Sequence, residues 1–255
     1  MGQVRALGLQ TRRTERGTQG AGPGRKPFSA EGVGARLANM AVQLEIGALV
    51  GALVRLEPLV EGHVDALASA ASEDRSSYGY TAVPEGRPAM LEHVRGLLAM
   101  KAAGQTLPFA QVRIADGQPV GVTRFLSFRH RGSDPIPYAV EIGGTWLGES
   151  AQRRGINTEA KLLLLSHAFE VWKVGRVDLK TDARNQRSRA AIAGIGATLE
   201  GVLRSWQPSH ATGEDTCLRD SAMYSILASE WSHVRKGLEV RLGWSQSQAL
   251  TQSSG

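Results

Sequence analysis

A short basic turn that opens a leucine-rich helix constrains this sequence more than any other feature. The turn Gln152-Arg-Arg-Gly-Ile-Asn-Thr-Glu-Ala-Lys161 runs into Leu162–Leu165 and follows the strand-like run Tyr138–Leu147. The first turn of a helix exposes backbone N–H groups without partners in the helix, and the helix dipole adds partial positive charge there. Such a helix start binds anions, above all phosphate. The pattern therefore predicts a strand–turn–helix unit that holds a phosphate-bearing ligand; an ordinary helix entry with solvated arginines is the alternative.

The rest of the pattern predicts one mixed α/β domain. Asp116-Gly117 is a strong hairpin turn, so the strands on either side of it are expected to pair antiparallel. Only the strand–helix–strand segment 138–181 reads as a parallel crossover unit. Alternating and helical spacings predict strands at 53–58, 109–114, 120–126, 138–147, 176–181, 198–206 and 217–226, and helices at 59–72, 90–101, 156–172, 185–195 and 230–242.

Composition divides the chain into three parts. Residues 1–39 are rich in Gly, Arg, Thr and Gln and lack a periodic apolar pattern, which is typical of a disordered basic tail. Such a tail could also be a basic arm for nucleic acid, or translation could begin at Met40. A globular body of about 200 residues is expected over 41–244, followed by a polar tail at 245–255.

The net charge of +6 comes mostly from the first of these parts. Residues 1–39 carry seven basic and two acidic residues, which leaves the body almost neutral, with no broad field for nucleic acid. No run approaches the length of a membrane span, and no signal peptide pattern is present. The single cysteine, Cys217, excludes an internal disulfide, and the six histidines lack metal-ligand spacing. We therefore predict a soluble, cytoplasmic protein without a metal site.

A second strand–helix junction adds to the first. Thr181-Asp-Ala-Arg-Asn-Gln-Arg-Ser-Arg-Ala190 follows the strand at 176–181 and places Asn185 and Ser188 three residues apart, on one face of the next helix. The helix then returns into a strand through Ile195-Gly-Ala-Thr-Leu-Glu-Gly-Val-Leu-Arg204.

With these motifs in this order, the chain resembles the GNAT superfamily of acetyl-CoA-dependent N-acetyltransferases. Within it, the chain is similar to the branch of RimJ/RimL-type ribosomal-protein N-acetyltransferases. The resemblance covers roughly residues 50–242 and implies a GNAT fold, with a mixed, mostly antiparallel twisted sheet, one parallel splayed strand pair and flanking helices. It rests on Val54-Arg-Leu-Glu-Pro-Leu59, Val140-Glu-Ile-Gly143, Trp146-Leu147, Gln152-x-x-Gly155, Thr158-Glu-Ala160, Asn185-x-x-Ser188, Gly196-Ala197 and Glu200-Gly-Val-Leu-Arg204.

The resemblance implies how acetyl-CoA is bound. The pantetheine arm would lie along the strand at 139–147, and Asn185 would bond the pantetheine or the acyl region. This chain departs from the family at position 157, where Gly or Ala is usual, so its side chain could crowd a phosphate or give it another donor. The diphosphate would be held by the turn residues Gln152, Arg153, Arg154, Gly155, Ile156 and Asn157.

The resemblance also implies catalytic residues. Glu141 has nearly the spacing from Gly155 of the strand-borne general base in related enzymes, and Ser188 matches a serine proposed to protonate the leaving thiolate. A substrate-orienting role for Glu141, an N-cap role for Asn185 and a plain helical position for Ser188 are the alternatives. Glu159 is the rival carboxylate, although a Glu in the first helical turn more simply complements the dipole.

The arginines of the second junction, Arg184, Arg187 and Arg189, could meet the 3′-phosphate of coenzyme A or form a solvated helix face.

The function expected from this resemblance is acetyl transfer from acetyl-CoA to a primary amine, by direct attack in a ternary complex. The acceptor would be a protein N-terminus or a small amine, and a homodimer is an open alternative. Two other functions remain open at this point. One is a catalytically silent acyl-CoA-binding module, and the other is nucleic-acid binding through residues 1–39.

Overall fold

The computed structural model describes residues 44–211 and 213–244. They contain one eight-stranded sheet and five α-helices. The strands are β1 Leu49–Val50, β2 Val54–Pro58, β3 Thr106–Arg113, β4 Pro119–Arg129, β5 Ala139–Leu147, β6 Arg176–Asp182, β7 Thr198–Pro208 and β8 Leu218–Leu227. The helices are α1 Val64–Ala71, α2 Gly86–Ala102, α3 Ile156–Ser166, α4 Gln186–Gly194 and α5 Trp231–Arg241.

The strand order is β1-β2-β3-β4-β5-β6-β8-β7, and every neighbouring pair is antiparallel except β5 and β6, which are parallel. A parallel pair needs a long crossover, and α3 provides it. The predicted fold class is confirmed: a mixed, mostly antiparallel sheet with one parallel pair and helices on both faces.

Two apolar cores lie on opposite faces of this sheet. On one face α3, α4 and α5 pack against the strands, with Leu164, Leu165 and Trp231 buried there. On the other face α1 and α2 cover β3, β4 and the end of β5, where Trp146 is buried. The second core leaves most of β5, β6 and β8 without a helical cover on that face.

The helix boundaries differ from the sequence prediction for local reasons. The helix predicted at 59–72 begins as a 3₁₀ turn, Glu61–His63, before α1. Helix α2 begins at Gly86, so Pro88 lies inside its first turn, where a missing N–H costs no hydrogen bond. Helix α3 ends in a π turn, His167–Val171.

Other parts of the prediction lie partly outside the described residues. The tail at 1–39, the start at Met40 and the tail at 245–255 all fall there, so the 41–244 boundaries stay a prediction. No described helix combines the length and the apolar character that crossing a membrane requires.

Candidate active site

Strands β5 and β6 separate after three residue pairs. Their register runs only from Ala139–Glu141 to Arg176–Asp178. Beyond this point β6 continues beside β8 and β5 continues beside β4, so the facing edges of 142–147 and 179–182 no longer pair with each other. A V-shaped opening with unpaired strand edges can accept an extended ligand by backbone hydrogen bonds.

A β-bulge widens β5 inside this opening. Gly144 and Thr145 together oppose Thr123 of β4, and Gly144 adopts φ +56°. A Cβ atom at Gly144 would lie 2.6 Å from Nε of Arg124, so the guanidinium passes directly over the bulge. Glycine is required here both by the left-handed backbone and by this close approach.

The turn before α3 presents a run of unbonded backbone donors. None of the six N–H groups from Arg153 to Thr158 donates to another described residue, and the first helical hydrogen bond is from Glu159 N to Gly155 O, at 2.9 Å. No side chain caps this helix start. A helix start with free N–H groups and exposed arginines is well suited to bind a phosphate group.

Gly155 fixes the shape of that turn. It adopts φ +81°, a left-handed conformation that favours glycine. A Cβ atom there would also lie 2.8 Å from Cδ1 of Leu53. Glycine at this position therefore has two physical causes.

The side chain of Gln152 holds the turn in place. Its Nε2 donates to Leu147 O at 2.8 Å and to Ser77 Oγ at 3.0 Å, while its Oε1 accepts from Arg187. Gln152 and Arg153 line a cleft of about 360 Å³ beside the turn, which the carboxylates of Asp74 and Glu149 also line. The side chain of Gln152 therefore fixes the position of the turn and of the backbone N–H groups that follow it.

The arginines of the second junction all have protein partners. Arg184 binds Asp182 and Glu214, each at 2.7–2.8 Å, and Arg189 donates to Tyr224 Oη and Ala183 O. Arg187 is held by Gln152. Arg184 and Arg187 are nevertheless exposed, so a contact with the 3′-phosphate and a solvated helix face both stay predictions.

Helix α4 begins differently from α3. The Oδ1 atom of Asn185 accepts from the backbone N–H of Ser188 at 2.9 Å, so the N-cap role is confirmed. The amide nitrogen of Asn185 and the hydroxyl of Ser188 have no hydrogen bond to another described residue. Capping therefore leaves one donor on each side chain for a ligand.

Glu141 lies at the vertex of the opening, in the last residue pair between β5 and β6. Its side chain is almost completely buried, and its Oε2 accepts from Lys180 Nζ at 2.7 Å and from Ser127 Oγ at 3.0 Å. The carboxylate is therefore preorganised by two donors, and its Oε1 has no hydrogen bond to another described residue.

The rival carboxylate, Glu159, has a structural role. It is fully buried and accepts backbone hydrogen bonds from Ala52, Leu53 and Val54 at 2.7–2.8 Å. Glu159 lies in the first turn of α3, as the helix-dipole interpretation requires, and its carboxylate in addition anchors the β1–β2 connection against α3.

Lys161 is a second buried ionisable group on α3. Its Nζ donates to Thr145 Oγ1 at 2.7 Å and to Thr123 Oγ1 at 3.2 Å, and no described carboxylate pairs with it. Burial lowers the pKa of Lys161 to about 7. The ammonium therefore lies under the bulge of β5, on the face opposite Glu141.

The family comparison connects this geometry to a known class of enzymes. The model of the acetyltransferase (GNAT) domain matches residues 54–198, more than half of the chain. The chain belongs to the GNAT acetyltransferase family. An N-acetyltransferase is therefore the established enzyme class, and the predicted superfamily is confirmed.

Individual relatives are consistent with this assignment. The structure of a GCN5-related N-acetyltransferase from Brucella melitensis is 26% identical, with a TM-score of 0.67 over 77% of this chain and 85% of that chain. Mycobacterium smegmatis RimJ in complex with CoA-disulfide is 23% identical, with a TM-score of 0.62 over 77% and 92%, and shows similarity of fold alone. YdaF of Bacillus subtilis (strain 168), provisionally named a ribosomal N-acetyltransferase, is 31% identical over 98 residues, 38% of this chain. That match spans half the length of the curated relative.

Several residues of this site carry no recognisable signal in the sequence. Lys180 and Ser127 bind Glu141 although they lie 39 and 14 residues from it in the sequence, and no local motif indicates either contact. Alternation along β6 would place Lys180 on the same face as Asp178, but it cannot say which residue of β5 lies beside it.

Proposed function

We propose that this enzyme transfers the acetyl group of acetyl-CoA to a primary amine by direct attack in a ternary complex. The observation that carries the proposal is the row of unbonded N–H groups from Arg153 to Thr158 beside the opening between β5 and β6. A diphosphate at the turn and an extended pantetheine arm along 142–147 would satisfy both sets of backbone groups at once.

The turn residues have distinct parts in holding coenzyme A. Gly155, Ile156 and Asn157 would offer backbone donors, while the side chains of Arg153 and Arg154 are exposed and can add charge-assisted contacts. The side chain of Gln152 orients the turn, and the free amide of Asn185 can donate to a pantetheine carbonyl.

Glu141 is the group proposed to accept the proton of the attacking amine. An amine must be neutral to attack a thioester, and a buried carboxylate within reach can remove its proton. In the transfer step the new N–C bond forms as the C–S bond breaks, and the amine proton passes toward Glu141. Ser188 would donate its hydroxyl proton to the leaving thiolate and regain one from solvent.

The protein itself would supply positioning and electrostatic stabilisation. Holding amine and thioester together converts a bimolecular reaction into an effectively unimolecular one. Backbone donors near the bulge at Gly144 can polarise the thioester carbonyl as negative charge develops on its oxygen.

A protein N-terminus is the preferred acceptor class, and a small amine is the other. YdaF is provisionally named a ribosomal N-acetyltransferase, which favours the first class. Such an enzyme would work in the cytoplasm, where acetyl-CoA and new protein N-termini are both present. Homodimerisation stays a prediction.

An acceptor screen tests the proposal. The full-length protein is incubated with acetyl-CoA and a panel of N-terminal peptides and small amines, with thiol release and mass shift as readouts. We expect acetylation of at least one amine at a rate that depends on both substrates. Binding of coenzyme A with no transfer to any amine would contradict the proposed reaction while leaving the cofactor site intact.

A further inference from the structure

One face of the sheet carries ionisable side chains where the opposite face carries the apolar core. Val140, Val177 and Ala222 point toward α3, so their neighbours in β5, β6 and β8 point the other way. We call these neighbours, with the adjoining residue of β4, the polar face. It consists of Arg124, Glu141, Asp178, Lys180, Asp182, Arg219, Ser221 and Ser225.

Each carboxylate of the polar face already has a cationic partner. Glu141 pairs with Lys180 at 2.7 Å, and Asp182 pairs with Arg184 at 2.8 Å. Asp178 binds Arg176 at 2.5 Å and also binds Arg129. The polar face has two further arginines that form no ion pair with these carboxylates, although the charges of Asp182 and Glu141 still act on them through space.

Arg219 and Arg124 are those two arginines, and neither forms a hydrogen bond or ion pair with any described residue. Arg219 is only 8% exposed, and its Nε is buried without a partner. Arg124 is half-buried, and its Nε is likewise buried without a partner. A buried guanidinium N–H without a hydrogen bond is costly, and each such group in a folded protein calls for an explanation.

Both arginines lie near Glu141, at the vertex where the thioester and the amine would meet. Burial lowers the pKa of Arg219, and the negative charges of Asp182 and then of Glu141 act in the opposite direction. Burial also lowers the pKa of Arg124, and the negative charge of Glu141 opposes that effect. The hydroxyl of Ser221 is buried without a hydrogen bond on the same strand and face as Arg219. It offers another donor next to the guanidinium.

Two histidines border these arginines. Burial, and then the neighbouring charge of Arg124, lowers the pKa of His93 on α2. The same two causes, with Arg219 as the neighbour, lower the pKa of His210. Both imidazoles are therefore neutral near pH 7 and leave the local charge to the two guanidinium groups.

We propose that Arg219 and Arg124 form a carboxylate-binding subsite for the acceptor, so that the preferred amine carries a carboxylate close to its amino group. This inference rests on the proposed acetyl transfer and narrows its substrate class. A guanidinium and a carboxylate form strong, often bidentate hydrogen bonds, and two unpaired guanidinium groups beside the reaction centre would align such a substrate.

The carboxylate that binds this subsite can belong to an acidic residue near a peptide N-terminus or to a free acidic amino acid. The diphosphate of coenzyme A has a separate site at the start of α3, so it does not account for the two arginines. An acceptor carboxylate would relieve the burial cost of both and would hold the amine near Glu141.

Matched amines that differ in one charge test this subsite. The first pair is the amidated peptides Ser-Glu-Ala-Ala and Ser-Gln-Ala-Ala, and the second pair is the α-amides of aspartate and asparagine, because free asparagine would keep an α-carboxylate beside its amine. We expect kcat/KM to favour the acidic member of at least one pair by about tenfold, as one charge-assisted hydrogen bond would give. The pair that shows the preference identifies the source of the carboxylate.

The variants Arg219→Gln and Arg124→Gln should each reduce that preference to below about threefold, because each removes a guanidinium that binds the carboxylate of the acidic member. Arg204→Gln is the matched control, because Arg204 is exposed on β7 and has no described ion partner. Equal kcat/KM for both members in the wild type, or an equal loss of preference in Arg204→Gln, would overturn the subsite.

Binding measurements keep the test independent of turnover and of folding. Calorimetric titration of each pair into the wild-type protein saturated with coenzyme A should give about tenfold tighter binding of the acidic member. Equal affinities overturn the subsite even if acetylation occurs. A clear affinity difference without any acetylation supports the subsite and instead contradicts the proposed reaction. If Arg219→Gln does not fold, Arg219→Lys should retain the charge and lose only part of the preference, because it cannot bind bidentately.

Discussion

Glu141 and Glu159 are two buried carboxylates, and their surroundings separate a reactive group from a structural one. Glu159 accepts three backbone hydrogen bonds from Ala52, Leu53 and Val54, and these bonds occupy both of its oxygens. Glu141 is held through one oxygen by Lys180 and Ser127.

Burial alone therefore does not identify a catalytic carboxylate. A carboxylate whose oxygens are all occupied by the backbone holds the fold together. A carboxylate oriented by side chains at the vertex of an opening can still meet a substrate.

Replacing Glu141 by Gln is expected to lower kcat about 10²–10⁴-fold, because the amine loses its proton acceptor. The affinity for coenzyme A should stay unchanged. Steady-state kinetics and calorimetry on the same preparation measure both quantities. Glu92→Gln, at an exposed position of α2, serves as the control. If Glu141→Gln turned over at the wild-type rate across pH, Glu141 would not be the proton acceptor, and the proposed difference in role between Glu141 and Glu159 would be wrong.

Replacing Lys161 by Met tests whether the buried ammonium of Lys161 lowers the stability of the fold. The folded-state pKa of about 7 lies well below the ordinary value for lysine, so the unfolded chain binds more protons at higher pH. The free energy of unfolding of the wild type should therefore rise from about pH 7 to about pH 10 relative to Lys161→Met, by an amount on the order of a few kcal/mol. Urea unfolding at several pH values measures it. If the difference in the free energy of unfolding between the wild type and Lys161→Met did not change with pH, the lowered pKa of Lys161 would be contradicted.

Replacing Glu159 by Gln is expected to lower the free energy of unfolding by about 2 kcal/mol, because an amide cannot accept all three hydrogen bonds and leaves a buried N–H unsatisfied. Turnover per folded molecule should fall less than about tenfold, through small movements of the neighbouring turn. Denaturant titration and kinetics measure the two effects, with the exposed Glu45→Gln as control. Loss of turnover without loss of stability would make Glu159 the reactive carboxylate.

Replacing Asn157 by Asp should weaken binding of coenzyme A about tenfold, because it puts a negative charge beside the diphosphate. Asn157→Ala introduces a residue type usual in the family at this position and is expected to keep the affinity within about threefold. Calorimetry with both variants separates charge from side-chain loss. Equal affinities for Asn157→Asp and the wild type would move the phosphate site away from α3.

The sequence was sufficient to predict the order of the elements from β2 onward because each of them carries a local signal. Alternation located β2, β3, β4, β5 and β6, and the Gly155 turn located the start of α3. The parallel relation of β5 and β6 followed from the helix between them, since a crossover of that length suits parallel strands.

Contacts between distant parts of the chain could not be predicted. Strand β1 has two residues and is defined by its pairing with β2 and by the anchor from Glu159, more than 100 residues away. The separation between Glu141 and Lys180 along the chain is also long. Side-chain positions of this kind depend on register and packing, which residue types do not specify.

The turn from Arg153 to Thr158 is the proposed binding site for the diphosphate of coenzyme A. Calorimetric titration of the full-length protein with coenzyme A and, separately, with pantetheine tests this site. We expect coenzyme A to bind at least about tenfold more tightly, since pantetheine carries no phosphate for the turn to bind. Equal affinity for both ligands, or no heat with coenzyme A on folded protein, would contradict it.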